Sequence, residues 1–112
     1  MSTGIARKIE SIKQFAGISG NNIAQLVGAT PQTLSRWTTG KNAPQPEHLS
    51  RLLELEYLAG ELAEFFEQGD VKLWLMAPHP ELGGKAPMEL LRNNRFGEIR
   101  DVIERMRDSS YV

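Results

Sequence analysis

The chain has no cysteine among its 112 residues. This absence excludes a disulfide framework, thiolate metal ligands and thiol catalysis, and it is typical of proteins in a reducing compartment. The first residues, MSTGIARKIESIKQ, lack the continuous apolar core of a signal peptide. No apolar run approaches the roughly 20 residues that a membrane-spanning helix needs. We therefore expect a cytoplasmic protein that does not contact a membrane.

Groups that perform chemistry are equally scarce. The two histidines, His48 and His79, have no second metal ligand at helical spacing. The run at 83–85, Gly-Gly-Lys, lacks the first glycine and the hydroxyl residue of a phosphate-binding loop. Nothing resembles a serine nucleophile with its histidine and carboxylate partners. The sequence predicts no catalytic residue, no metal site and no cofactor, and it favours a binding protein over an enzyme.

Charge is unevenly distributed along the chain, although the net charge is only −1. Residues 1–49 hold five basic and two acidic side chains, whereas residues 50–112 hold eight basic and twelve acidic ones. A positive front half and a negative back half indicate two partners of different kinds. Chance variation among solvated side chains is the alternative explanation.

Every periodic hydrophobic signal is helical, so the predicted fold is all-α. The first helix is expected over 4–15 with Phe15 on its inner face, and the longest over 47–68 with Leu53 on its apolar face. Asp70 is expected to cap the short helix that follows. We predict two domains: 1–68, a helix-turn-helix bundle with its long connecting helix, and 69–112, a small helical domain with a C-terminal tail. The last helix is expected over 96–107.

The segment 19–44 is predicted to be a helix-turn-helix. Ser19 can cap its first helix, Gly28 closes that helix, and Thr30 can cap the second. Leu34 and Trp37 lie three residues apart, so both should point into the core. That arrangement leaves four polar side chains facing outward near the start of the second helix: Gln32, Thr33, Ser35 and Arg36.

These outward side chains are of the kind that read base edges in a major groove. Arg36 could reach guanine and Gln32 could reach adenine, while Lys41 and Asn42 lie where a following loop would touch phosphate. Operator DNA is therefore a predicted partner. One copy offers few cations, so binding should need a dimer or a larger assembly. A helical corner that serves only the core is the alternative.

Two long runs of the sequence resemble known bacterial antitoxins. The run IAQLVGATPQTLSRWTTGKNAP resembles the helix-turn-helix of Xre-type regulators. The run LWLMAPHPELGGKAPMELLRNNRFGEIRDVIERM resembles the toxin-binding domain shared by MbcA, ParS and similar Xre antitoxins. The shared elements are a short tryptophan-bearing helix, an N/H-P-x-L turn, a P-x-E/D-L-L stretch, a small residue opening the last helix, and a tail ending in aromatic-Val. The resemblance covers nearly the whole chain.

The resemblance implies a type II antitoxin whose cognate toxin is a RES-domain protein, an NAD-using enzyme of the ADP-ribosyltransferase-like type. It implies that the C-terminal region covers the active-site cleft of the toxin and that the tail, Tyr111 and Val112, enters it. The chain departs from its relatives at one position of the turn, where many have asparagine and this chain has His79. The residues that would build the surface around the tail are Trp74, His79, Pro80, Leu82, Arg95 and Phe96.

The tail can also be argued from its chemistry. Tyr111 brings a large contact area at low entropic cost, together with a hydroxyl group that can form a hydrogen bond. Insertion into a partner and folding back onto the protein's own helices both explain two apolar side chains at a chain end. A stand-alone dimeric helix-turn-helix repressor is the alternative function. If the chain is an antitoxin, we expect a homodimer within a hetero-oligomer.

Overall fold

The structure, a computed structural model, describes residues 4–109 apart from the side chain of Gln68. The regular elements within these residues are helices, which confirms the predicted all-α fold. They are α1 (Gly4–Ala16), α2 (Gly20–Val27), α3 (Pro31–Thr38), α4 (Pro46–Leu62), α5 (Gln68–Met76), a 3₁₀ turn (Pro80–Leu82), α6 (Pro87–Arg92) and α7 (Phe96–Ser109).

Helices α2 and α3 are bounded by the caps that the sequence predicts. The hydroxyl oxygen of Ser19 accepts a hydrogen bond of 3.1 Å from the backbone N–H of Asn22, and the hydroxyl oxygen of Thr30 accepts one of 3.1 Å from that of Thr33. Gly28 ends α2 with φ of 77°, a left-handed conformation that glycine adopts without steric cost. The two helices are thereby joined by a turn of only three residues.

The core is organised around the packing of α1 against α4. Ile9 and Ile12 of α1 are fully buried, and α4 supplies the four leucines Leu52, Leu55, Leu58 and Leu62. Leu34 and Trp37 of α3 are buried as predicted. One connected cluster continues from these residues into α5, α6 and α7, and it ends at Ile103. The core therefore runs through both predicted domains, and their division at residue 68 stays a prediction.

Two expected core residues are exposed. Phe15 is 44% exposed and Ala16 is buried instead, because the helical period of Ile9 and Ile12 carries the inner face of α1 to residue 16. Leu53 is 43% exposed, because the buried leucines of α4 lie on the other side of the helix. Both predictions of burial were wrong.

The end of α4 and the start of α5 also differ from the prediction. Helix α4 ends at Leu62 rather than at residue 68, where the backbone tightens into hydrogen bonds such as Phe65 N–H to the carbonyl oxygen of Leu62 at 3.0 Å. Phe65 and Phe66 still pack against the core from the turn that follows. The apolar pattern of the sequence thus continues beyond the last residue of α4, which is why the helix was expected to be longer. Asp70 lies in the first turn of α5 and does not cap it, since α5 begins at Gln68.

Two leucines of α5 provide a matched test of this core. Leu75 is 1% exposed, whereas Leu73 is 66% exposed. We expect Leu75→Ala to lower the free energy of unfolding by about 2–5 kcal/mol, because it leaves a cavity among packed side chains. The same substitution at Leu73 should change it by less than about 0.5 kcal/mol. Chemical denaturation at equal protein concentration measures both; equal losses would contradict the assigned burial.

Candidate functional site

The segment between α5 and α6 is a compact turn built around the backbone of His79. Its N–H donates to the carbonyl oxygen of Lys85 at 3.1 Å, and its carbonyl oxygen accepts from the N–H groups of Leu82 and Gly84, each at 3.0 Å. Gly83 and Gly84 both have positive φ, 68° and 77°, which the reversal of the chain requires. The predicted turn is confirmed, and its backbone is held by internal hydrogen bonds.

The side chain of His79 connects this turn to α5. Its ring lies against the ring of Trp74, with 4.6 Å between centroids and a tilt of 38°. Its Nε2 lies 2.9 Å from the carbonyl oxygen of Trp74, a distance at which a protonated ring nitrogen donates. Four residues after Trp74 stands Pro78, which has no N–H to offer that carbonyl. His79 therefore satisfies the end of α5 and makes no side-chain cap to the 3₁₀ turn.

Three of the predicted toxin-contact residues come together here. Trp74, His79 and Pro80 line a groove of about 370 Å³ between the turn and α7. Leu82 is buried beneath the turn and supports it from the inside. We name this region the α5–turn surface; its lining is completed by Glu81, Val102 and Met106.

Two further apolar side chains on α5 are exposed. Leu73 is 66% and Met76 is 48% exposed, and they lie three residues apart, on one face of the helix. Sequence reasoning missed them, because α5 is apolar on nearly every side and periodicity could not separate its inner face from its outer one. We count Leu73 and Met76, together with the groove of Trp74, His79 and Pro80, as the α5–turn surface.

The other predicted toxin-contact residues lie elsewhere. Arg95 is exposed and donates from Nη2 to Oε1 of Glu98 at 2.7 Å, a bond that holds the pKa of that carboxyl below its ordinary value. Phe96 packs edge-on against Tyr57 of α4, with 5.9 Å between centroids. The groove that Phe96 lines is a different one from the Trp74 groove. The predicted tail residues, Tyr111 and Val112, lie outside the described residues.

The outer face of α3 carries the predicted DNA-contact side chains. Gln32, Ser35 and Arg36 are exposed, as are Lys41 and Asn42 in the loop that follows. Thr33 is half-buried, and its hydroxyl oxygen accepts a hydrogen bond of 3.0 Å from the hydroxyl group of Thr30. Thr33 therefore contributes to the helix cap, while the other five side chains are open to solvent.

A shallow groove of about 230 Å³ lies where α3 meets the start of α2. Ser35 lines it together with Lys13 from the end of α1 and Asn21 from the first turn of α2. The first N–H groups of a helix have no partner inside the helix and favour anions. A cation, a polar amide and a helix start thus lie beside the outer face of α3.

Over residues 4–109, no group of three histidine, cysteine or acidic side chains is arranged to hold a metal ion. No helix among these residues is both long enough and apolar enough to cross a membrane.

The second half of the chain matches a family of known proteins. Residues 56–108 match the family described as the antitoxin Xre/MbcA/ParS C-terminal toxin-binding domain. The match covers 53 of the 112 residues. They begin within α4 and include α5, the turn, α6 and most of α7.

The full length of the chain is also similar to antitoxins of this family. It is 27% identical over 108 residues to the mycobacterial cidal antitoxin MbcA of Mycobacterium tuberculosis and of Mycobacterium bovis, covering 96% of this chain and of each relative. A probable mycobacterial cidal antitoxin of M. tuberculosis is 28% identical over 104 residues, which is 93% of this chain and 88% of the relative.

A solved structure shares the fold. A chain in the crystal structure of the M. tuberculosis MbcT–MbcA toxin–antitoxin complex superposes with a TM-score of 0.83 at 26% identity, covering 98% of this chain and 99% of that one. The chain is therefore homologous to MbcA, and it is an antitoxin of a toxin–antitoxin system rather than an enzyme.

The contact between His79 and Trp74 can be tested by two substitutions. We expect His79→Ala to lower the free energy of unfolding by about 1–3 kcal/mol, because a partly buried carbonyl oxygen loses its donor. His79→Phe keeps a ring against Trp74 but offers no donor, so it should recover only part of that loss. Chemical denaturation measures both variants. A His79→Phe protein as stable as the original would show that the hydrogen bond contributes nothing.

Proposed function

We propose that this antitoxin neutralises a RES-domain, NAD-using toxin by covering the toxin's active site with the α5–turn surface and the C-terminal tail. The observation that carries the proposal is the exposure of two apolar side chains on α5, Leu73 and Met76, within the residues that match the toxin-binding domain. The relative MbcA is part of a complex with a toxin, MbcT. The RES-domain type of the toxin and its use of NAD are taken from the family resemblance.

The α5–turn surface has the chemistry of a protein-binding site. Leu73 and Met76 are exposed on α5, and Trp74 of the same helix lines a groove together with Pro80. Neighbouring exposed apolar side chains are costly to leave in water, and aromatic residues and methionine are enriched in interfaces. The hydrogen bonds around His79 fix the turn in advance, so little conformational entropy is lost when a partner binds.

The C-terminal end of α7 borders this surface. Met106, about one helical turn before the end of the helix at Ser109, lines the groove beside Trp74. We propose that the tail continues this surface toward the toxin. A tyrosine ring supplies contact area, and a terminal carboxylate can meet an arginine-rich cleft. In this proposal Tyr111 and Val112 enter the cleft while Trp74, His79 and Pro80 contact its rim.

A second activity is proposed for the outer face of α3, which would bind the operator of the antitoxin's own operon. Gln32, Ser35 and Arg36 offer hydrogen-bonding groups to base edges, and Lys41 and Asn42 offer them to phosphates. One copy of the chain presents few cations to DNA, so its binding to DNA would be weak and sensitive to salt. We therefore propose that the antitoxin acts on DNA as a homodimer, within a complex that also holds the toxin.

Removing residues 110–112 tests the tail. Neutralisation should be lost, because an aromatic anchor at the centre of an interface is worth about 2 kcal/mol or more, roughly thirtyfold in Kd. The variant is co-expressed with the RES-domain toxin that the proposal names as its partner, and growth is measured. Leu73→Lys tests the rest of the α5–turn surface separately, and it should weaken co-purification of the antitoxin with the toxin. Full protection by the shortened chain, with unchanged affinity, would contradict insertion of the tail.

Arg36→Ala tests the DNA-binding face. Loss of a side chain that reads a base should weaken binding to operator DNA by about 1–3 kcal/mol. Arg92→Ala is the matched control, since Arg92 is exposed on α6 and its loss changes the net charge equally. Binding is measured by fluorescence anisotropy on a labelled operator fragment at fixed salt. Equal affinities for the two variants would remove Arg36 from the recognition surface.

A further inference from the structure

A groove of about 450 Å³ lies between the turn that follows α4 and the end of α7. Phe65 and Phe66 line it from the turn; both are half-buried, with 6.4 Å between their ring centroids. We name it the Phe65–Phe66 groove, and its other lining residues are Glu81, Arg105, Met106 and Ser109. Since Glu81 and Met106 also line the groove of Trp74, the Phe65–Phe66 groove borders the α5–turn surface.

The last residue that the structure describes takes part in this groove. Ser109 lines it from the same side of α7 as Arg105, which stands four residues earlier. Residues 110–112 follow Ser109 in the sequence and lie outside the described residues. Three residues span about 10 Å at most. Because residue 110 is bonded to a residue of the groove, the segment 110–112 is long enough to place a side chain in it while the helices stay where they are.

The inner lining of the groove suits an aromatic side chain. Two phenylalanine rings form it together with Met106, and aromatic rings pack favourably against other rings and against methionine sulfur. Sites of roughly 300–1,000 Å³ hold small organic molecules, so a groove of this size has room for one tyrosine ring. Tyr111 is the aromatic residue of the segment 110–112.

The rim of the groove is polar and only weakly engaged. The ion pair of Arg105 with Glu81 is long, 3.6 Å between Nη2 and Oε2, and both side chains are more than half exposed. Such an exposed pair contributes little to stability. A phenol hydroxyl can donate to a carboxylate or accept from a guanidinium, and a guanidinium also packs on the face of a ring. An apolar floor and a polar rim thus match the two ends of a tyrosine side chain.

We propose that Tyr111 docks in the Phe65–Phe66 groove while the antitoxin is without its toxin, and that the toxin draws it from there into its own cleft. The proposal rests on the proposed function, in which Tyr111 enters the toxin. Folding back and insertion are then two successive states of one tail. The docked state keeps an aromatic ring out of water, and it lowers the apparent affinity for toxin by the fraction of chains whose tail is undocked.

A double-mutant cycle in the absence of toxin tests the docking. Tyr111→Ala should lower the folding equilibrium constant roughly tenfold, because a ring leaves an aromatic groove. In a Phe66→Ala background the same substitution should lower it by less than about twofold, since the partner ring is already gone. Chemical denaturation of the full chain measures all four proteins. Leu73→Ala is the matched control, because Leu73 is exposed outside the groove, and its effect should simply add to that of Tyr111→Ala.

A second background keeps the test decisive if Phe66→Ala does not fold, since Phe66 also packs against the core. Arg105 is exposed, so Arg105→Ala should fold as the original protein does. It removes the guanidinium from the rim, and Tyr111→Ala should then cost less than it does in the original chain. A Tyr111→Ala substitution without effect on the original protein, or with the same effect in every background, would overturn the docking.

Toxin affinity tests the transfer of the tail. Phe66→Ala removes the competing site, so it should bind the RES-domain toxin more tightly than the original protein, by up to roughly tenfold. Isothermal titration calorimetry measures both affinities. An affinity equal to or weaker than that of the original protein would overturn the transfer.

The chain shortened by residues 110–112 separates this proposal from the proposed function. Coupling between Tyr111 and Phe66, together with full neutralisation by the shortened chain, would contradict entry of the tail into the toxin and leave the docking in place. Loss of neutralisation without any coupling would overturn the docking and leave the proposed function standing.

Discussion

The burial of leucines along one side of α4 is the interaction on which the remaining helices depend. Helices α2 and α3 have eight residues each and α6 has six, lengths at which isolated helices are not stable in water. Helices α2 and α3 persist because they pack against the apolar surface of α1 and α4, and α6 persists because it packs against α2, α5 and α7. The exposed side of α3 and the α5–turn surface are thus the outer faces of elements whose inner faces share one core.

Local chemistry in the sequence was sufficient to predict most of the helix boundaries. Ser19, Gly28 and Thr30 are each specific to one position of a cap, so α2 and α3 lie where they were expected. The end of α4 was missed, because no glycine or proline marks it and Phe65 and Phe66 continue the apolar pattern through the turn. Phe15 and Leu53 were wrongly placed on the inner faces of their helices because each continues an apolar pattern, although the period of the buried residues puts both on other sides.

The candidate site was predictable only in part, and the reasons lie in tertiary contacts. The family resemblance placed Trp74, His79 and Pro80 in one predicted contact surface, and all three line the same groove. It also added Phe96, whose ring instead packs against Tyr57, a residue of α4 whose contact no local pattern reveals. The hydrogen bond from His79 to the carbonyl oxygen of Trp74 depends on the missing N–H of Pro78, a relation that becomes visible only once the end of α5 is known.

A core that passes without interruption from α1 to α7 makes the outer face of α3 and the α5–turn surface share one unfolding equilibrium. A ligand that binds only the folded chain stabilises all of it, by an amount that grows with the logarithm of ligand concentration over Kd. Occupation of the α5–turn surface therefore reduces the population of unfolded α3 as well. Proteases that cleave opened chains act on that population, so any partner that binds the α5–turn surface would lengthen the lifetime of the whole chain.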